Sequence, residues 1–311
     1  MAISAADVKK LREMTGAGMM DSKKALEATN GDFDKAIEFL REKGLAGAQK
    51  KAGRIAAEGI CDTLVSSDGK KGVVVEVNSE TDFVAKNEKF RNFVADVCSQ
   101  ALDSNASDDN IDEFLNEKWK KDSSKTVAEA LAGEIAIIGE NMHIRRKKTL
   151  VAKEGFVLSY IHSQGRIAVL IDVKTDKDSN EVKEAAKNIA MQIAALNPVY
   201  VRSEDVSEDY KNKEREILLA QAKEEAPDKP ENILKGMVEG RLNKELKEIC
   251  LLNQVYVKAE DGKQTVAQYV ESVGKQAGCN FGINSFVRFE TGEGLEKKNE
   301  DFAAEVAAQM K

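Results

Sequence analysis

A chain of 311 residues, of which 42% are apolar and 32% charged, has the size and composition of a soluble globular protein with two or three compact units. No apolar run approaches about 20 residues and the first residues lack a charged-then-apolar pattern, so we expect no membrane partner and no signal peptide. The net charge of −7 combines +3 over residues 1–54 (11 Lys and Arg against 8 Asp and Glu) with −10 elsewhere (36 against 46), which argues against a nucleic-acid partner.

Residues 1–44 are predicted to form three short helices. Ser4, followed three positions later by an acidic residue, resembles a capping box, and Asp21 and Asp32 precede the next two helical runs. Gly44 is predicted to stop the third helix. So small a bundle has little core of its own, which favours a docking module.

The turn Gly16-Ala17-Gly18 is predicted to be flexible. It is not a phosphate-binding loop, because no strand precedes it and no Gly-Lys-Ser/Thr follows. Met19 and Met20 come directly after it. Methionine adapts to irregular contacts, so these two side chains are candidates for a partner surface.

The stretch Thr81–Asn87 lies where a strand passes into a helix. The strand is predicted over Gly72–Asn78 from its run of valines, and the helix to about Leu102 from apolar residues that recur every four positions. By itself this pattern favours Asp82 as a helix N-cap and Phe83 as a core or staple residue. An exposed Phe83 that inserts into a partner is the alternative.

An internal repeat favours that alternative. Residues 58–100 align without gaps with residues 154–196, at a constant shift of 96 positions and with nine identities. Asp82 is matched by another aspartate, as a shared capping role would require, whereas Phe83 is matched by Ser179. The repeated fold therefore does not require an aromatic side chain at position 83.

Two polar features in the middle of the chain have structural interpretations. The cluster Arg145-Arg146-Lys147-Lys148 lies in a strand-like stretch and is predicted to form a solvated face. His162 lies on a strand predicted over Phe156–Ser163, where a histidine is more often structural than functional.

Residues 205–249 interrupt the second copy of the repeat. They are predicted to form two charged helices around a turn at Pro227–Pro230, with an apolar stripe along the second helix. This is the pattern of a helical hairpin. A strand at Phe286–Phe289 then returns to the sheet.

The last part of the chain is predicted to be a flexible segment, Thr291–Gly294, followed by a helix. Phe302 and Val306 share one face of this helix. With few local partners, that face is a candidate for binding in trans.

Motifs for bond-making chemistry are missing from the sequence. It contains no P-loop, no complete GxGxxG, no HExxH and no GxSxG, so we expect no enzyme and no bound cofactor. The four cysteines have no metal-ligand spacing and only two histidines could complete a site, so we expect no metal. Reduced cysteines favour a cytoplasmic protein. The cysteines are Cys61, Cys98, Cys250 and Cys279.

Four motifs resemble those of the elongation factor Ts family. They are Arg12–Asp21, Thr81–Asn87, Ile138–Asn141 and Phe302–Ala308. Because these motifs lie near both ends and in the middle, the resemblance covers essentially the whole chain. Residues 103–125 and 271–282 fit the family pattern least, and no role is carried over to them.

The resemblance implies an α+β fold: an N-terminal three-helix ubiquitin-associated-like bundle, a duplicated antiparallel sheet-plus-helix core, an inserted helical hairpin and a C-terminal helix. The predicted units are a docking module with its linker at 1–54, one core subdomain at 55–140, a second in two parts at 141–204 and 250–290, the hairpin or coiled coil at 205–249 and a C-terminal module at 291–311.

The resemblance also implies a function, nucleotide exchange on the translational GTPase elongation factor Tu. GDP, GTP and Mg²⁺ would belong to that partner. Asp82 and Phe83 would form a wedge, and residues 81–84 (Thr81 to Val84) would displace the partner's Mg²⁺ and phosphate-binding loop. Other predicted contacts are Arg12, Met19, Met20, Lys51, Ile138, Gly139, His162, Phe302 and Val306.

Two other functions remain open at this point. The chain would be a plain adaptor if its bundle and hairpin bound proteins while Phe83 were core. An enzyme with a cryptic site is the third hypothesis, and no constellation of residues supports it. The hairpin is also a possible dimerisation element.

Overall fold

The computed structural model describes residues 3–296, which form eleven α-helices and eight β-strands, with every pair of neighbouring strands antiparallel. The fold is therefore α+β, as predicted. Phe302 and Val306 lie outside the described residues. Across residues 3–296, no helix combines the length and the apolar character needed to span a membrane.

The helices are α1 (Ala5–Thr15), α2 (Met19–Ala28), α3 (Phe33–Lys51), α4 (Asp82–Ala85), α5 (Glu88–Asp103), α6 (Ile111–Asn116), α7 (Val127–Ile138), α8 (Asn180–Leu196), α9 (Glu208–Glu225), α10 (Glu231–Ile249) and α11 (Val266–Ala277). The strands are β1 (Glu58–Val65), β2 (Lys71–Ser79), β3 (Lys118–Trp119), β4 (Asp122–Thr126), β5 (Met142–Val151), β6 (Phe156–His162), β7 (Ile167–Thr175) and β8 (Phe281–Glu290).

Helices α1, α2 and α3 pack around a small apolar core of their own. The predicted capping box is present, since the Ser4 hydroxyl accepts from the N–H of Asp7 and the Asp7 carboxylate accepts from the N–H of Ser4. Asp32 caps α3 as predicted, accepting from the N–H of Lys35 at 3.1 Å. The prediction for Asp21 was wrong, because this residue lies inside the first turn of α2.

The predicted helix stop at Gly44 was also wrong, because α3 continues to Lys51. Gly44 is buried where α3 packs on α7, and a Cβ built on it would lie 3.6 Å from the Cβ of Ala136. Glycine here permits close approach of two helices and does not end one. Arg41 adds an ion pair with Glu129. Helix α3 thus joins the bundle firmly to the rest of the protein.

The first sheet has the order β1-β2-β5, and its central strand is buried on both faces. Val73, Val75 and Val77 belong to the core shared with α5, whereas Val74 packs against the second sheet. A strand buried on both faces has a continuous apolar sequence, which is why the valine run predicted β2 correctly.

The second sheet has the order β6-β7-β8 and is covered by α8 and α11. A third apolar cluster, which includes Cys61, Val74 and Leu170, lies between the two sheets. The centre of the molecule is therefore layered as helix, sheet, sheet and helix.

The basic cluster on β5 was predicted to be solvated, and this prediction was wrong. Arg145 and Arg146 both donate to the carboxylate of Glu76 on β2, which is fully buried. Lys147 is buried as well and donates to Asp108 at 2.9 Å. These partners lie 39 to 70 positions away in the sequence, so no local pattern could indicate them.

The segment Thr291–Gly294 was predicted to be flexible, yet the structure shows it packed. The N–H of Gly292 donates to the Glu76 carboxylate at 2.8 Å, and Thr291 is buried. A Cβ on Gly292 would lie 2.2 Å from the carbonyl oxygen of Ala57, so this position has room only for glycine. The chain that leaves β8 is therefore held against both sheets.

Helices α9 and α10 form the predicted hairpin, with the turn at Pro227–Pro230 between them. The N–H of Leu252 donates to the carbonyl of Val201 at 3.0 Å, so the chain leaves the second sheet and returns to it at adjacent points. The residues of α10 that are buried are the predicted stripe, Leu234, Val238, Leu242 and Leu246.

Candidate partner-binding site

The corner between β2 and α5 contains a single helical turn, α4. Thr81 is the N-cap of this turn, because its backbone is extended and its hydroxyl accepts from the N–H of Val84 at 3.4 Å. The prediction of Asp82 as the N-cap was therefore wrong by one position. The Asp82 carboxylate accepts from Lys86 at 2.6 Å, and this hydrogen bond lowers the pKa of Asp82.

Phe83 projects from α4 into solvent with 80% of its surface exposed, the largest exposed fraction of any large apolar side chain between residues 3 and 296. Its neighbours Val84 and Ala85 turn inward onto the core of the first sheet. The interpretation of Phe83 as a core or staple residue was wrong. The ammonium of Lys86 lies 6.0 Å from the ring centre. An exposed ring is thus held on a turn whose other apolar residues are anchored.

The corresponding corner of the second sheet is built differently. Ser179, which matches Phe83 in the repeat, is itself the N-cap of α8 and accepts from the N–H of Val182 at 3.4 Å. Asp178 does not cap the helix but forms an ion pair with Lys183 at 2.8 Å. The shared capping role was therefore a wrong prediction. Only the first corner has an extra turn that carries an aromatic side chain.

A second loop lies directly beside the Phe83 corner. Helix α7 ends at Ile138, which packs on the core of the first sheet, and Gly139 caps it with a φ of 91°. The next residue, Glu140, accepts hydrogen bonds from the N–H and hydroxyl of Thr81 at 3.0 and 2.7 Å. Ile138 and Gly139 thus directly precede a residue that contacts the Phe83 corner. Glu140 belongs to one of the four motifs, but its contact with Thr81 joins residues 59 positions apart, so no local pattern indicated it.

The chain that follows α3 is tied to the same corner. The Asn141 side chain donates to the carbonyl of Arg54 at 2.7 Å, and the Arg54 guanidinium contacts Glu80 at 3.4 Å. Lys51, in the last turn of α3, lies three residues before Arg54. This predicted contact residue is therefore close in the chain to a residue that contacts the corner.

The other predicted contact residues lie on separate elements. Arg12 is exposed near the end of α1, and Met19 and Met20 are exposed at the start of α2. His162 is exposed at the end of β6, and the Tyr160 hydroxyl lies 3.0 Å from its Nδ1.

One hydrogen bond links the His162 turn to the helix that follows the Phe83 corner. Arg91 in the first turn of α5 donates to the carbonyl of Gln164, two residues after His162, at 3.0 Å. The turn beyond β6 is thus anchored to α5.

Candidate metal ligands and thiols occur at several places between residues 3 and 296. No group of three or more His, Cys, Asp or Glu there has a geometry that could hold a metal ion. Burial raises the pKa of the Cys61 thiol to about 12 and that of the Cys98 thiol well above its usual value. The site is a protruding apolar ring on a turn that hydrogen bonds hold in place, an arrangement that suits contact with another protein.

Comparison with known proteins agrees with the motifs. Residues 80–293 match the sequence model of the family described as Elongation factor TS. The Elongation factor Ts of Clostridium botulinum (strain Eklund 17B / Type B) is 51% identical over 308 residues, which cover 99% of each chain. That of Clostridium perfringens (strain 13 / Type A) is 52% identical over 305 residues, or 98% of each chain.

A relative outside the clostridia is almost as similar. The Elongation factor Ts of Trichlorobacter lovleyi (strain ATCC BAA-1151 / DSM 17278 / SZ) is 48% identical over 312 residues, which cover 99% of this chain and 98% of that protein. Matches of this extent, together with the motifs and the protruding corner, identify the protein as a member of the elongation factor Ts family.

Proposed function

We propose that this protein binds elongation factor Tu through the Phe83 corner and thereby releases GDP from it. As a member of its family the chain is a translation elongation factor with a nucleotide exchange role. The observation that carries the proposed use of the corner is the 80% exposure of Phe83 on a turn whose neighbouring apolar side chains are anchored.

The proposed mechanism is physical displacement. Phe83 enters between helices of the partner's GTPase domain, and burial of its ring supplies roughly 1.5–3 kcal/mol toward that insertion. Asp82 brings a carboxylate to the same place, with Lys86 as its counter-ion. Together residues 81–84 push on the Mg²⁺ site and the loop that holds the GDP phosphates. No covalent bond is made or broken by this chain.

Thermodynamic linkage fixes the direction of the cycle. If the exchange factor weakens the binding of GDP by some factor, GDP weakens the binding of the exchange factor by the same factor. The same relation lets incoming GTP expel the exchange factor from the complex. In this mechanism the nucleotides and Mg²⁺ are ligands of the partner.

The remaining contact residues would hold the partner while the wedge acts. Arg12, Met19 and Met20 give the bundle an exposed face with two adaptable side chains. His162 offers a separate contact from the second sheet. On the first sheet's side, Ile138 and Gly139 directly precede Glu140, which contacts Thr81, and Lys51 lies three residues before Arg54, which contacts Glu80. The C-terminal pair Phe302 and Val306 completes the proposed contact set.

Release of labelled GDP from elongation factor Tu, measured with and without the full chain, tests this function. We expect the full chain to accelerate release strongly at substoichiometric concentration, because each molecule leaves its partner when nucleotide re-enters. Tight binding of the two proteins with an unchanged release rate would instead identify a plain adaptor and overturn the proposal.

We also infer that the two sheets arose by duplication and that the bundle has a ubiquitin-associated-like fold. Support for duplication extends beyond the repeat, since α7 and α11 each begin with a threonine capping box and each end at a left-handed glycine. An asparagine precedes the following strand in both cases, Asn141 before β5 and Asn280 before β8.

The unit boundaries predicted from the sequence and a cytoplasmic location remain proposals. Four free cysteines, three of them buried, support the location.

The hairpin of α9 and α10 is proposed as a dimerisation element that exchange does not require. Replacing residues 207–248 with a short Gly/Ser linker is expected to leave the rate of GDP release unchanged, because the chain leaves and re-enters the body at adjacent points. Sedimentation should show a smaller assembly than the full chain forms. A variant that melts cooperatively but fails to exchange would contradict the first expectation, and an unchanged assembly would contradict the second.

A further inference from the structure

The carboxylate of Glu140 receives three hydrogen bonds from the residues that immediately precede the wedge. Its Oε2 accepts from the N–H groups of Glu80 and Thr81 at 3.1 and 3.0 Å, and its Oε1 accepts from the Thr81 hydroxyl at 2.7 Å. In return, the Glu80 carboxylate accepts from the N–H of Asn141 at 2.6 Å. The two loops that flank the wedge are therefore joined reciprocally.

The second sheet allows a comparison within the same molecule. Asp176, which matches Glu80, accepts from the N–H and the side chain of Asn280, both at 2.9 Å. This pairing of a strand-end carboxylate with an asparagine is thus common to both sheets. It does not distinguish the corner that carries Phe83.

The contact between Glu140 and Thr81 does distinguish the corner that carries Phe83. The residue in the corresponding place before β8 is Cys279, and the residue that matches Thr81 is Lys177. Lys177 donates to the carbonyl of Ala277 at 2.7 Å instead. Of the two corners, only the one that carries Phe83 therefore has a carboxylate that accepts hydrogen bonds from the residue before the wedge.

We propose that Glu140 is a positioning residue for nucleotide exchange, which acts by fixing Thr81 so that α4 presents Phe83 at a set place relative to the first sheet. This inference rests on the proposed function. A single helical turn has little stability of its own and its cap contact is long at 3.4 Å, so an external anchor decides its position. Because the anchor orders the turn before binding, the partner's contact energy is not consumed in ordering it.

The test measures release of labelled GDP from elongation factor Tu over a range of concentrations of each variant. Glu140→Ala is expected to lower the maximal rate by about fivefold or more, the lower end of typical coupling between sites. Glu140→Gln keeps a carbonyl oxygen for the two N–H groups and an amide that can pair with the Thr81 hydroxyl, so most of the rate should be retained. In a Phe83→Ala background, Glu140→Ala should reduce the rate no further.

Asp176→Ala is the control, since it removes the carboxylate that joins the two loops at the corner of the second sheet, the counterpart of Glu80, and it should leave the maximal rate unchanged. If Glu140→Ala does not melt cooperatively, Thr81→Val replaces it. This near-isosteric change removes the hydroxyl contact with Glu140 together with the cap contact to Val84, so it should also slow release. The role of Glu140 would be overturned by any of three results. These are a wild-type rate of GDP release in Glu140→Ala and Thr81→Val, an additive loss of rate when Glu140→Ala is combined with Phe83→Ala, or an equal loss of rate in Asp176→Ala. A wild-type rate in Phe83→Ala alone would instead overturn the wedge itself.

Discussion

Replacing Phe83 with Ala is expected to slow GDP release from elongation factor Tu at least about fivefold, while the free energy of unfolding changes by less than about 1 kcal/mol. The ring is 80% exposed, so its removal leaves no cavity in the free protein. In the complex the same ring would be buried, and its loss would remove the force that displaces the phosphate-binding loop. Stopped-flow release of a fluorescent GDP and urea denaturation measure the two quantities.

Phe90→Ala is the matched control for this substitution. Phe90 lies seven positions further along, in the first turn of α5, and is fully buried. Its truncation should cost about 3–5 kcal/mol of unfolding free energy. A Phe83→Ala protein as unstable as this control, or one that exchanges nucleotide at the wild-type rate, would contradict the assignment of Phe83.

Replacing Glu76 with Ala is expected to lower the free energy of unfolding by about 3–5 kcal/mol, the largest effect we expect of a single charged residue in this protein. The carboxylate is fully buried and accepts from Arg145, Arg146, Asn78 and the N–H of Gly292. Its removal leaves two guanidinium groups beside an emptied site and releases the segment that follows β8. Guanidinium denaturation followed by circular dichroism measures the loss.

Two comparisons separate the buried network from charge in general. Glu76→Gln keeps the shape and one acceptor oxygen but not the charge, so its loss should be intermediate. Glu13→Ala removes a carboxylate whose ion pair with Lys9 is exposed on α1, and it should cost less than about 1 kcal/mol. Equal losses of unfolding free energy in Glu76→Ala and Glu13→Ala would show that the buried network stabilises the fold no more than an exposed ion pair does.

Local patterns predicted the features that depend on neighbours in the sequence. The valine run of β2, the stripe on α10 and the capping box at Ser4 each follow from periodicity or spacing within one element, and the structure contains all three. The exposure of Phe83 also followed from the sequence, but only because the ungapped alignment of the repeat pairs it with Ser179. In the structure Ser179 is the N-cap of α8, the place that Asn87 has at the start of α5. A repeat supplies a comparison that a single motif lacks.

Sequence patterns failed where the deciding partner came from another element. Gly44 was predicted to end a helix because the sequence cannot show that α7 crosses α3 at that point. The basic cluster on β5 was predicted to be solvated because Glu76 and Asp108 are distant in the chain. Asp82 was predicted to be a cap, although the anchored Thr81 one position earlier has that role.

The sequence by itself determined the α+β class, the family and the exposure of Phe83, because periodicity, contiguous motifs and the repeat each indicate one of them. Only the tertiary structure decided how the turn that carries Phe83 is held in place. The anchor of Thr81 is Glu140, which lies 59 positions further along the chain and approaches it only when β5 pairs with β2. Such a contact depends on the register of two strands, and register is a property of the folded sheets.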